Sequence, residues 1–241
     1  MPLAENLVRI REQIASACRR ACRSEAEVSL MAVTKMHPAA SILEAYDCGL
    51  RLFGENRVQE WQEKLPSLAH LFGPANSPAK VHLIGPLQSN KTTRAAEIFD
   101  TIDSVDSLRI ATRLNAAATS LGRKLPILIE VKLSHEASKH GIAPADLPAL
   151  IAELIRLKSL IPSGLMTVPP WSEDPEAARP YFRELRRLRD VSLAACTTLT
   201  QLSIGMSNDF QVAIEEGSTC VRIGTALFGR RLYPAPAHSG Q

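Results

Sequence analysis

The sequence predicts an α/β protein built as a single (β/α)8 TIM-type barrel with an extra helix at its N-terminus. Three observations carry this. Eight strand-like runs alternate with helical stretches at intervals of roughly 25–30 residues, which is the repeat of such a barrel. The runs are apolar on consecutive residues, as parallel strands covered on both faces require. A chain of 241 residues suffices for eight such units in one domain. A doubly wound open sheet is the runner-up, but it has no reason to stop at eight strands.

The elements follow in order. Leu3, Leu7, Ile10, Ile14 and Ala17 recur at helical spacing and give the amphipathic opening helix. The strands are then "SLMAVTK", "RLFGEN", "VHLIGP", "FDTIDSVD", "PILIEVK", "IPSGLMTVPP", "LTQLSIGMS" and "CVRIGTALFG". Between them lie helical stretches such as "PAASILEAYDCG", "SNKTTRAAEIF", "SLRIATRLNAAATSLG", "APADLPALIAELIRL" and "EAARPYFRELRRLRD". The short helix "DFQVAIEEG" is closed by Gly217. No Pro-, Gly- or Ser-rich linker cuts the chain, so residues 1–234 read as one domain and 235–241 as a disordered tail. The stretch "HLFGPANSPAK" reads as an irregular loop.

Composition narrows the function. Five cysteines without close CxxC pairs make neither a disulfide framework nor a zinc site, and unbridged cysteines favour a reducing compartment. Glu5, Arg9, Arg11 and Glu12 interrupt any apolar core of a signal peptide. No run approaches the roughly 18 apolar residues of a membrane helix. These features point to a soluble, cytoplasmic protein. A net charge of +3 is too small to imply nucleic acid. The basic run "RELRRLRD" keeps Leu185 and Leu188 on one side and reads as the wet face of a helix.

In a barrel, the residues that follow each strand share one rim, and that rim carries the chemistry. Lys35 ends the first strand. A lysine there either marks a solvated strand end or, in a partly apolar surround, offers a neutral amine that can attack an aldehyde. The last two strands favour the second role. "SIGMSNDF" runs through Gly205, Met206, Ser207 and Asn208 into a helix, and "VRIGTALFG" repeats the pattern with Gly224 and Thr225. Glycines, free helix N–H groups and two hydroxyls suit a phosphate, in the loops where this fold usually holds one. Helix capping by Ser207 and Thr225 is the alternative. Arg222, between Val221 and Ile223, needs a buried acceptor such as Glu130, or else aims a donor at a ligand's ring nitrogen. An amine for an aldehyde, a phosphate cradle and an arginine between them together suggest pyridoxal phosphate.

The stretches "AVTK", "FGENRVQE", "HLIGPLQSNK", "EASKHGI", "GLMTV" and "LSIGMSNDFQVAIEEGSTCVRIGTALFG" resemble, in the same order, the motifs of the pyridoxal phosphate homeostasis protein family. The resemblance spans about Leu30 to Tyr233. That family is similar to the barrel domain of alanine racemase, the fold-type III pyridoxal phosphate class. Carried over by motif, Lys35 is the Schiff-base lysine and Arg222 the partner of the pyridine nitrogen. Ser207, Gly224 and Thr225, with backbone near Met206, hold the phosphate, and Asn56 of "GEN" lies near the cofactor. Met36 and His37 stand where many members carry a second polar or basic residue, so no auxiliary lysine is expected beside Lys35. His37 and His82 are expected near the rim, packed rather than catalytic.

The resemblance implies a carrier that holds pyridoxal 5′-phosphate and delivers it in vitamin B6 homeostasis, with other pyridoxal phosphate enzymes as acceptors and no turnover of its own. Two alternatives stay open: a small fold-type III amino-acid racemase, and a cofactor-free Schiff-base aldolase. An arginine at the ring nitrogen weakens the electron sink a racemase needs. A chain of this length also has no room for the opposing acid/base domain that racemases add.

Overall fold

The computed structural model describes residues 2–72, 77–134 and 140–229. Eight parallel strands close into a barrel in chain order: β1 Ser29–Val33, β2 Leu52–Glu55, β3 Lys80–Leu83, β4 Thr101–Val105, β5 Leu125–Glu130, β6 Leu160–Met166, β7 Gln201–Ser203 and β8 Cys220–Ile223. The seam is β1 on β8, in a register that runs from Ser29 opposite Cys220 to Ala32 opposite Ile223. The eight predicted strands are all present, and the open-sheet alternative is excluded by this closure.

A helix follows every strand: α2 Ala39–Asp47, α3 Val58–Leu68, α4 Thr92–Ile98, α5 Leu108–Ser120, α6 Leu147–Leu154, α7 Arg179–Ser192, α8 Phe210–Glu215 and α9 Thr225–Phe228. The extra helix α1, Leu3–Arg20, precedes the barrel. Its predicted stripe of Leu3, Leu7, Ile10, Ile14 and Ala17 is buried against α8 and α9, and Asn6 Nδ2 donates to the Leu227 carbonyl at 2.9 Å. α1 thereby braces the short helix that follows the last strand. Between sheet and helices the core is large and apolar. Trp61 lies edge-on to Phe72 with ring centroids 4.9 Å apart, and its Nε1 donates to the Ile98 carbonyl. Gly217 follows α8 at φ 98°, the left-handed conformation expected of a helix stop.

The barrel interior is partly polar, and this decides where the site lies. Gly54 lacks a side chain where Met31 fills the lumen; a Cβ there would meet Met31 Sδ at 2.6 Å. Across the lumen, Arg222 donates to Ser203 Oγ at 2.9 Å, Ser203 Oγ lies 3.4 Å from Asp103 Oδ2, and Asp103 Oδ1 is 3.0 Å from His82 Nδ1. His82 therefore points inward beside Asp103. It lines a cavity of about 320 Å³ shared with Glu27, Ser29 and Thr219, at the end where the strands begin. The expectation of His82 at the catalytic rim is corrected: its side chain follows the inward face of β3, and Asp103 holds it there. Cys220 in the same region has its thiol pushed up to about 12 by burial, with the Asp103 charge adding to the effect, so it is inert packing.

The irregular loop of "HLFGPANSPAK" falls partly on residues 73–76, and most of "EASKHGI" on 135–139; these lie outside the described residues, as do Tyr233 and the 235–241 tail. No helix of the described residues is long and apolar enough to cross a membrane.

Candidate functional site

At the end of the barrel where the strands terminate, a cavity of about 620 Å³ is lined by Val33, Lys35, Ile84, Pro170–Glu173, Met206–Asp209, Arg222, Gly224 and Thr225. Six of the seven residues expected to bind a cofactor thus converge on one space: Lys35, Met206, Ser207, Arg222, Gly224 and Thr225. Asn56 does not line it. It borders a neighbouring cavity with Arg57, Gln88, Lys91 and His140, and its backbone abuts Gly85, so closely that a Cβ on that glycine would meet the Asn56 carbonyl at 2.3 Å.

Lys35 reaches the cavity because β1 ends just before it. Thr34 still donates to the Gly54 carbonyl of β2 at 3.0 Å, and then the chain turns, with His37 N donating back to the Thr34 carbonyl. Met36 adopts φ 62° in this turn. The lysine is half-buried rather than splayed into solvent. His37 packs its ring on Phe228, with centroids 4.7 Å apart, so this histidine ties the lysine turn to the last helix as expected of a packed residue.

The opposite wall is built by the loops after β7 and β8. Gly205 takes φ 94°, and a Cβ there would meet Ala213 Cβ at 2.6 Å, so only glycine lets the loop turn this tightly over α8. Met206 N donates to Asp209 Oδ1 at 2.6 Å, which commits that N–H. Among the described residues, the backbone N–H groups of Ser207, Asn208 and Thr225 meet no acceptor. They stand at the starts of α8 and α9, where free donors and the helix dipole favour an anion. Neither Ser207 nor Thr225 caps the helix of its own loop. Asp209 is the one buried acid in this wall; burial pushes its carboxyl up, while the Met206 N–H and the Arg222 charge pull it down.

Arg222 forms the floor. It is 4% exposed and donates through Nη1 to the carbonyl and hydroxyl of Ser203 and through Nη2 to the Thr167 carbonyl at 2.9 Å. Its hydrogen bonds go to these acceptors, so the expected alternative of direct pairing with Glu130 is replaced by carbonyl anchoring. Glu130 acts on Arg222 only as one of several nearby charges. Burial lowers the guanidinium's proton affinity, and Cys220, Asp103, Glu130 and Asp209 oppose that shift. An arginine so placed stays a cation and a donor.

Sequence reasoning passed over Asp209 and Trp171. Asp209 stands immediately before a helical run, a position that signals an N-terminal cap. Trp171 is 75% exposed at the cavity rim and gave no signal, because an isolated tryptophan in a Pro-rich loop has no periodicity to read.

The family model described as alanine racemase, N-terminal domain, matches residues 6–232. The pyridoxal phosphate homeostasis protein of Pseudomonas aeruginosa is 45% identical over 236 residues, covering 98% of each chain. PipY of Synechococcus elongatus PCC7942, solved with and without PLP bound, is 40% identical. It superposes with a TM-score of 0.83 over 94% of this chain and 100% of its own. An alanine racemase of Clostridium difficile, 17% identical with a TM-score of 0.73, covers 98% of this chain but only 58% of its own length, and shares the fold. Matched over nearly its whole length at the identities of close relatives, the chain belongs to the alanine racemase N-terminal domain family, among the pyridoxal phosphate homeostasis proteins.

Proposed function

We propose that this protein binds pyridoxal 5′-phosphate at the rim cavity and serves as a carrier of that cofactor in vitamin B6 homeostasis, without turnover of its own. The observation that carries the proposal is the convergence of Lys35, Ser207, Arg222, Gly224 and Thr225 on one cavity of about 620 Å³. That is within the range of sites for small ligands. The donor set fits the group part by part. An aldehyde needs one amine, supplied by Lys35. A phosphate needs several N–H and O–H donors around one point, supplied by the Ser207 and Thr225 hydroxyls and the uncommitted N–H groups of residues 207, 208 and 225. A ring nitrogen needs a donor, supplied by Arg222, whose Nη groups are already braced by three acceptors. Ile84 and Val33 line the same cavity and would give the ring apolar contact.

When bound, the cofactor supplies an aldehyde and an electron-accepting ring. The chain's own residues hold and orient it. Arg222 is a permanent cation that keeps its proton, so it would donate a hydrogen bond to the ring nitrogen without protonating it. This arrangement favours holding over carbanion chemistry. Relatives that carry the name of homeostasis proteins support the carrier reading, and PipY with PLP bound supports the ligand. Other pyridoxal phosphate enzymes are the proposed acceptors.

The test is a spectral titration with pyridoxal 5′-phosphate, followed by borohydride reduction and mapping of the labelled lysine. A visible band that forms with wild type and is lost in Lys35→Ala, with the label on Lys35, is the expected result. A label on Lys91 or Lys132 instead would overturn the assignment of Lys35.

A further inference from the structure

Behind the cavity lies a buried ionic cluster that makes no contact with the space itself. Glu55, the last residue of β2, is fully buried, and its Oε1 accepts from Thr34 Oγ1 at 2.6 Å and from Lys64 Nζ at 2.8 Å. Lys64, on α3, keeps only 10% of its side chain exposed. Its ammonium has three protons and three acceptors: Glu55 Oε1, Glu60 Oε1 at 2.7 Å and the Thr34 carbonyl at 2.9 Å. Glu60 Oε1 in turn accepts from the Met36 backbone N–H. Both neighbours of Lys35 are therefore tied to one ammonium, Thr34 directly and Met36 through Glu60.

The turn that this cluster holds is one the chain would not adopt unaided. Met36 at φ 62° is in the left-handed region, which costs a non-glycine residue about 1–2 kcal/mol and persists only where the surroundings impose it. Glu55 is itself a costly residue. Its Oε2 is buried without a hydrogen-bond partner among the described residues, and burial pushes the carboxyl up against the pull of Lys64. A buried ion pair of this kind contributes little net stability compared with apolar packing, and its best-attested use is to fix one arrangement.

We infer that Lys64, held by Glu55 and Glu60, is a positioning residue that fixes the Thr34–Met36 turn and so presents the Lys35 amine to the aldehyde of a bound ligand. The inference rests on the proposed role of Lys35. Lys64 lies outside the cavity lining and acts only through the backbone on either side of Lys35. Its removal should therefore affect the step that needs the amine and spare the contacts that need only phosphate and ring.

Two ligands separate these effects: pyridoxal 5′-phosphate, and pyridoxine 5′-phosphate, which has a hydroxymethyl group in place of the aldehyde. In Lys64→Met, affinity for the aldehyde ligand should fall by about tenfold or more, because a displaced amine loses the orientation that bonding to the aldehyde needs. Affinity for pyridoxine 5′-phosphate should stay within about twofold, and borohydride trapping at Lys35 should slow. Glu60→Ala, at a half-exposed position on α3, carries the same test with less risk to folding and should show the same split. Equal loss for both ligands would make the cluster a brace of the fold only, and no loss for either would leave the turn set by other contacts; each result overturns the inference. Lys35→Ala is the control. If it shows the aldehyde-specific loss and Lys64→Met does not, the proposed function stands and the role of Lys64 falls. If Lys35→Ala binds both ligands as wild type does, the role of Lys35 falls first, and that of Lys64 with it.

Discussion

Ser207 Oγ accepts a hydrogen bond from the backbone N–H of Ala226 at 3.2 Å, joining the loop after β7 to the first turn of α9. One hydroxyl thus holds together the two loops that wall the cavity, and it does so from one loop to the other rather than by capping its own helix. The Thr225 hydroxyl, on the exposed first residue of α9, has no such duty.

Ser207→Ala and Thr225→Ala are therefore expected to differ. Each should weaken pyridoxal 5′-phosphate more than pyridoxal, which lacks the phosphate, by about 1.5–3 kcal/mol for a lost charge-assisted hydrogen bond. Only Ser207→Ala should also destabilise the fold, by roughly 1 kcal/mol for a lost cap-like bond, and so lower the melting temperature. Titration with both ligands and a thermal melt read the two effects separately. Equal weakening of both ligands would show that the hydroxyls only shape the loops.

Arg222 should prove structural as well as ligand-binding. Arg222→Met removes the donors to the Thr167 carbonyl and to the Ser203 carbonyl and hydroxyl, all of them buried. Unsatisfied buried acceptors cost about 1–3 kcal/mol each, so a loss of about 3 kcal/mol or more is expected in denaturant unfolding. Pyridoxal 5′-phosphate affinity should fall together with stability. A variant as stable as wild type would show that these carbonyls find water instead.

Much of this was legible in the sequence, for physical reasons that differ by element. The strands could be read because a parallel barrel buries both faces, leaving continuous apolar runs such as "PILIEV". Lys35, Ser207 and Thr225 could be read because barrel chemistry is confined to the residues after each strand. The Glu55–Lys64 pair could not, since the partners come from a strand and the middle of the following helix; only Glu60 and Lys64 show the i, i+4 spacing of a helical pair. His82 was placed at the wrong end because strand membership is visible in sequence while the depth of a side chain in the lumen is not. Its partner Asp103 belongs to another strand.

Acid should loosen the outer layer through one arginine. Arg179 bonds Glu176, Glu215 and Glu216, and Arg183 adds a second bond to Glu216. Burial pulls Glu215 and Glu216 upward, but their guanidinium bonds outweigh it and hold both carboxyls below their ordinary value of 4.5. A carboxyl depressed in the folded state adds stability that is fully present above its unfolded pKa. That stability is lost as pH falls through the lower folded value. Wild type should therefore lose stability below about pH 4.5, more steeply than Arg179→Met. The variant should already have lost about 1–2 kcal/mol at neutral pH. Parallel pH profiles of unfolding for the two proteins would show that this network contributes nothing.

Catalysis gives the sharpest prediction. The family model that matches this chain is that of the alanine racemase N-terminal domain, so α-proton exchange is the activity to test. Exchange requires a protein base at the substrate's α-carbon and an electron sink strong enough to hold the charge left behind. With Arg222 at the ring nitrogen, as proposed, no transferable proton would be supplied there, because a guanidinium braced by the Ser203 and Thr167 carbonyls stays protonated even as burial lowers its proton affinity. The buried acid in the cavity wall, Asp209, is already engaged by the Met206 N–H at 2.6 Å, which weakens it as a base. Among the described residues that line the cavity, Lys35 is the amine base, and it serves at most one face. Incubation of the loaded protein with several L-amino acids in deuterium oxide should therefore give no α-deuteration above that of free pyridoxal 5′-phosphate. Binding, which needs only the amine and the phosphate donors, should be undiminished under the same conditions. Multiple-turnover exchange that vanishes in Lys35→Ala would reverse the carrier reading and make the protein a small racemase.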